Sequence, residues 1–184
     1  MKLKNVTFFL LCFALTFSMQ AQTYYTKTGT IKFESKTKLE DIKAENRKVL
    51  SVLNTSTGAL TFTLLMKAFD FPNKIMQDHF NESYAESDLY PKASFAGSIS
   101  NIKQIDLTKN GTYTANFTGQ LTIKNVTKTI SNQANIVIKD GKISATSKIK
   151  VKPADYNFKI PAPVVGKIAD ELDVFIQLNY EPKK

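Results

Sequence analysis

NGTYTANFTGQLTIKNVTKTISNQANIVIKDGKISATSKIKVK, residues 110–152, decides the fold of this chain. Apolar and polar residues alternate along most of it, the period of a half-buried β-strand. Tyr113, Ala115 and Phe117 share one face against Thr112, Thr114 and Asn116. Gly119 offers a bend before Leu121 and Ile123, Asn125-Val126-Thr127-Lys128 reads as a turn, and Ile130 to Ile138 as another strand. Lys142 to Lys152 alternates most cleanly, with Ile143, Ala145, Ile149 and Val151 inward and Lys148, Lys150 and Lys152 outward. Asn110-Gly111 and Asp140-Gly141 are hairpin signals, because these residues tolerate positive φ.

Outward from this block the pattern continues. Toward the C-terminus, Leu172, Val174, Ile176, Leu178 and Tyr180 fall on one face of a last strand. Toward the N-terminus, Phe95 to Ile105 reads as a strand kinked at Gly97. Ala59 to Met66 is a strand with Leu60, Phe62, Leu64 and Met66 together, preceded by a turn at Asn54 to Gly58 and an apolar strand at Val49 to Leu53. Lys38 to Lys48 reads as a charged turn or short helix, and Tyr24 to Ser35 as two short strands separated at Gly29. About eight strands with hairpin-type connections predict a sandwich or an up-and-down antiparallel barrel. Closure also removes exposed sheet edges.

One stretch departs from alternation. In IMQDHFNESYAESDLYPKASFAG, Ile75 to Gly97, Ile75, Met76, His79 and Phe80 recur at helical spacing. Asn73 is placed to cap this helix with its side-chain oxygen, and the helix ends before Tyr90-Pro91. A short helix near residues 73–82 in an all-β chain is a candidate lid for a cavity.

Met1 to Ala21 reads as a cleaved secretory leader: Lys2 and Lys4, an apolar run from Val6 to Phe17, then cleavage near Ala21/Gln22. The run is too short to span a roughly 30 Å hydrocarbon core, and Leu11 before Cys12 breaks a lipoprotein box. Residues 22–184 then form a single domain, exported to the periplasm or secreted. Cys12 is the one cysteine, so the mature chain has no disulfide and its sheet must supply the stability. The formal net charge of +9 includes Lys2 and Lys4, and Arg47 is the single arginine. Scattered lysines without a recognition motif argue against nucleic acid, while contact with an anionic membrane surface stays open.

The segments IMQDHFNES, YPKASFAG (Tyr90 to Gly97), GTYTANFTGQLTIKNVTK (Gly111 to Lys128) and DYNF (Asp155 to Phe158) together resemble the YceI-like, polyisoprenoid-binding family of exported proteins. The family pattern is a Met-x-x-His-Phe helix, a Tyr-Pro-x-x-x-Phe strand entry and a Gly-x-Leu-Thr-Ile-x-x-Val-Thr-Lys strand and turn. The resemblance runs from Tyr24 to Tyr180. It departs at Pro153-Ala154, where the family carries an arginine, and between Thr37 and Asn54, which is rich in lysine. It implies an eight-stranded lipocalin-like barrel holding a long-chain isoprenoid, a quinone or polyprenyl lipid, for storage or transport in the cell envelope.

Strands of about ten residues rising roughly 3.3 Å each would make a tube about 30 Å long. The candidate lining is Phe62, Leu64, Met66, Phe95, Tyr113 and Phe117 from strands, with Met76, His79 and Phe80 from the helix. The bland alternative is that the same Phe and Leu stripe fills a solid core, leaving a ligand-free surface or envelope module. His79 either bonds a lipid head group or is a polar residue at the edge of a buried face. One histidine without a mature cysteine argues against a metal site, and no nucleophile, relay or phosphate loop argues for an enzyme. No catalytic residue and no cofactor beyond a bound lipid is expected. Lysine and threonine on outward faces disfavour a membrane-spanning barrel. A dimer is compatible with these residues.

Overall fold

The computed structural model describes residues 23–183. The predicted leader, Met1 to Ala21, lies outside the described residues. Eight strands close in sequence order into one antiparallel barrel, β8 pairing with β1. They are β1 (Thr23–Lys36), β2 (Asp41–Asn54), β3 (Ala59–Leu65), β4 (Lys92–Ile99), β5 (Gly111–Ile123), β6 (Val126–Lys139), β7 (Lys142–Val151) and β8 (Leu172–Pro182). The helix α1 (Lys74–His79) runs on into a π-helical turn at Phe80–Tyr84, inside the β3–β4 connection.

Several segments correct the sequence reading. Tyr24 to Ser35 is one strand, not two, with register shifts on either side of Gly29 that bend it. Lys38 to Lys48 is not a helix, and only its start, Lys38 to Glu40, is a turn: from Asp41 it is the first half of β2. Its inner positions, Ala44 and Asn46, are small or polar, and Arg47 and Lys48 both face out at a bulge, so the alternation changes phase. Asn46, fully buried, donates to the Leu65 carbonyl (2.9 Å) and accepts from the Lys48 amide (2.9 Å), extending the contact of β2 with β3 beyond their ladder.

The Asn110-Gly111 hairpin does not form either. β4 ends at Ile99, and a longer connection with a 3-10 turn at Ile102–Gln104 leads to β5. Asn110 instead clasps the neighbouring hairpin, accepting the Asp140 amide at 2.9 Å. Asp140-Gly141 is a hairpin turn as read, with φ of 51° and 72°. The next turn is Lys124-Asn125, φ 47° and 59°, so Val126 to Lys128 already belong to β6.

Inward residues make one continuous core, but it is unevenly filled. At mid-barrel, Phe62 and Phe95 stack with centroids 5.1 Å apart, and Phe117 meets Phe95 edge-on at 5.8 Å. The ring of Phe95 lies over Gly97 and Gly119, which face each other across the β4–β5 ladder. A Cβ on Gly119 would come within 2.5 Å of both that ring and the Gly97 backbone. Below the three rings, toward the 54–58 and 140–141 turns, Leu53, Ile136, Ile143, Leu178 and Tyr180 pack tightly. There the buried Tyr180 hydroxyl, 2.8 Å from Ser51 Oγ, has its pKa pushed up to about 12 by desolvation.

Candidate functional site: an apolar cavity under a short helix

Above the aromatic layer the barrel is hollow. A cavity of about 390 Å³ is lined by Ile31 and Phe33 of β1, Leu64 of β3, Leu121 and Ile123 of β5, Ile149 and Val151 of β7, and Leu172, Val174 and Ile176 of β8. Its size is that of a small-molecule pocket, roughly 300–1,000 Å³. Below the layer a separate void holds only about 50 Å³. Phe62 and Ile176 border both.

The mouth is roofed by two connections. From one side α1 and its π turn bring Met76, His79, Phe80 and Tyr84; from the other come Pro153, Phe158, Ile160, Val164 and Lys167. A helix of six residues has little stability of its own, so its position is imposed. Asn73 caps it, its Oδ1 accepting the amides of Ile75 (2.9 Å) and Met76 (3.4 Å). Phe80 enters a cluster with Phe33, Phe69 and Phe71, at centroid distances of 5.8, 5.7 and 5.1 Å. Such pairs add about 0.5–1.5 kcal/mol beyond area burial.

The far end of the helical segment is pinned by Lys124. Its side chain is 3% exposed, and Nζ donates to the carbonyls of Tyr84 (2.8 Å) and Asn157 (3.2 Å) and to the Glu86 carboxylate. The rings of Tyr90 and Phe158 flank the cation at 5.5 and 5.3 Å. One ammonium thus ties the β5–β6 turn to both halves of the roof. The hydrogen bond from Lys124 holds the Glu86 carboxyl below its ordinary range.

The candidate lining residues separate into three groups. Phe62, Leu64, Met66, Met76, His79 and Phe80 border the cavity. Phe95 and Phe117 lie beneath it and border only the small void. Tyr113 borders neither, and its hydroxyl donates to the Lys109 carbonyl (3.4 Å) at the opposite end of the barrel. Ile75, placed on the inner helix face from its spacing, is 66% exposed. The full-length tube expected from strand length is therefore cut short by the aromatic layer. Sequence reading missed Phe33, Phe69, Phe71, Phe158 and Lys124. The alternation of Phe69 and Phe71 before Pro72 was the available signal for two of them.

Polar groups are few and sit at the rim: Ser35, Glu40, His79 and Lys167. The Ser35 hydroxyl accepts the Ala169 amide at 2.8 Å. Among the described residues no group of three or more His, Cys, Asp or Glu is placed to hold a metal.

A closed, sequentially wound antiparallel barrel with an apolar cavity under a helical roof is the lipocalin-like class of fold. Within that class the chain belongs to the YceI-like family, whose domain model matches residues 13–180. No curated protein sequence matches it. Among solved structures it is similar to a polyisoprenoid binding domain from Saccharophagus degradans implicated in plant cell wall breakdown. That likeness has a TM-score of 0.76 at 14% identity, over 89% of this chain and 100% of that one. It is also similar to BcnA of Burkholderia cenocepacia (0.68, 17%, 83% and 96%) and to a YceI protein of Campylobacter jejuni (0.55, 18%, 100% and 92%). At these identities the likeness is one of fold.

Proposed function

We propose that this protein binds a lipid by its apolar chain, an isoprenoid being the class that fits best, and holds it in the cell envelope for storage or transport. The observation that carries the reading is the cavity itself: apolar walls, an aromatic floor, and polar side chains only at the rim. The similarity to a polyisoprenoid binding domain supports the same ligand class. Each buried CH₂ contributes about 0.8 kcal/mol, so ten carbons contribute about 8 kcal/mol of gross driving force toward binding. The solid-core alternative describes only the lower half of the barrel.

Catalysis is not part of this reading, which rests on a lining that is almost entirely apolar. Export rests on the leader-like Met1 to Ala21, and N-terminal sequencing of the mature protein should begin at Gln22. Exposed Leu39, Ile75, Leu89 and Val165 all lie on connections at the mouth end, which supports loading from a membrane surface. Co-sedimentation with vesicles, with and without anionic lipid, tests that contact.

Native mass spectrometry of protein purified from its own envelope tests the function. The expected result is a co-purifying lipid on the order of several hundred daltons. Protein that arrives empty and takes up no isoprenoid in vitro would overturn the reading.

A further inference from the structure

We infer that the Phe62–Phe95–Phe117 layer is a ruler: it limits the buried part of the ligand to about ten to twelve carbons along the chain, up to about three isoprene units. The inference rests on the lipid-binding reading and adds what sets the length.

The layer is continuous. Phe62 and Phe95 stack at 5.1 Å with an interplanar angle of 10°, and Phe117 closes edge-on at 5.8 Å and 89°. Phe95 is 1% exposed. Its ring lies against the β4–β5 wall, in the space that Gly97 and Gly119 leave open, and backs the Phe62 ring that borders both voids. Void exists on both sides, about 390 Å³ above and about 50 Å³ below, so the rings partition a longer bore.

On β8 the residues bordering the cavity are Leu172, Val174 and Ile176, while Leu178 and Tyr180 lie past the layer. Four residues at about 3.3 Å each cover about 13 Å along the strand, or about 10 Å along the axis at the usual strand tilt. The roof from α1 adds a few ångströms. Chain bonds of roughly 1.5 Å advance a little less than that per carbon when extended, which gives the stated length. A longer chain must leave its excess at the mouth, against Met76, Phe80 and Val164.

Removing the Phe62 ring, which with Ile176 borders both voids, would join them and lengthen the measure. The test is the affinity of the purified, delipidated protein for geraniol, farnesol and geranylgeraniol, read by displacement of a fluorescent lipid probe and by native mass spectrometry. For the wild type, affinity should climb from geraniol to farnesol by up to about fourfold per newly buried carbon, then stay within about threefold for geranylgeraniol. Phe62→Ala should restore the climb to geranylgeraniol, and Phe62→Leu, which keeps more of the core filled, should do so in part. Circular dichroism checks that each variant is folded. If wild-type affinity keeps rising through geranylgeraniol, or a folded Phe62 variant leaves the profile unchanged, the ruler is overturned while lipid binding stands. If no prenol binds at any length, the lipid reading falls and the ruler with it.

Discussion

Two side chains at the mouth do different work. Phe80 is half-buried and supplies one ring of a four-ring cluster, so Phe80→Ala should cost about 2 kcal/mol of stability while leaving the barrel folded. Lipid retention should weaken about tenfold, the value of roughly half a buried aromatic side chain; thermal unfolding and a lipid-displacement titration separate the two effects. Lys124 is structural. In Lys124→Met two carbonyls, Tyr84 and Asn157, lose their donor, and a loss of about 2–3 kcal/mol is expected, with faster amide exchange confined to the roof. On the barrel exterior, Lys32 and Lys36 flank the buried Glu34 at 2.5 and 2.8 Å. Hydrogen bonds to these lysines, Lys32 first, lower the Glu34 pKa to about 2. A depressed carboxylate contributes stability above its unfolded pKa and loses it as pH falls through the folded one. That stabilisation should thus be complete above about pH 4.5 and fade toward pH 2; with exposed lysines screening it, it is worth about 1–2 kcal/mol. Urea unfolding of Glu34→Gln should be correspondingly flatter over this window.

Among the elements, the β4–β5 pair sets the cavity floor because two glycines meet in its ladder. Gly119→Ala would press a methyl into the Phe95 ring and the Gly97 backbone, so a loss of about 2–3 kcal/mol in the urea midpoint is expected from overpacking. Gly141, with open space around it but a φ of 72°, should cost only about 1 kcal/mol on the same change, through backbone strain alone. β6 and β7 pair only from Asn135–Lys139 to Lys142–Thr146. Toward the mouth their contact is carried by side chains, Ser147 Oγ to the Gln133 carbonyl (2.7 Å) and Asn132 Nδ2 to the Lys148 carbonyl (3.0 Å). On the outer face, Lys148 and Lys150, read as a solvated strand face, pair with Asp173 of β8 (3.0 Å) and with Glu171 just before it (2.8 Å).

For the whole molecule, the two halves of the barrel should respond differently to a ligand. The packed half below the aromatic layer carries stability, and the roofed half above it carries the site. Delipidation should lower Tm, and readdition at about a hundredfold over Kd should restore about 2.7 kcal/mol. Hydrogen exchange should show the change in residues 66–91 and 152–171, with the lower halves of β5 to β7 unmoved. A uniform change over the barrel would contradict this division.

By itself the sequence determined the antiparallel all-β class, the single capped helix, the Asp140-Gly141 turn and the family resemblance. Each is a local property: alternation, a capping side chain, a dipeptide that tolerates positive φ, a motif in order. β2 was hidden because Ala44 and Asn46 break the apolar signal and a bulge changes its phase. Asn110-Gly111 carried a turn signal that a longer connection overrode. Only the tertiary structure decided which inward aromatic residues line space and which fill it. Alternation tells which face of a strand a side chain occupies, but not what lies across a closed barrel from it. Phe62 and Phe95 look equivalent along the chain; they differ because Gly97 and Gly119 let the Phe95 ring lie down against the β4–β5 wall while Phe62 stands between the two voids, and those contacts exist only once the strands have paired.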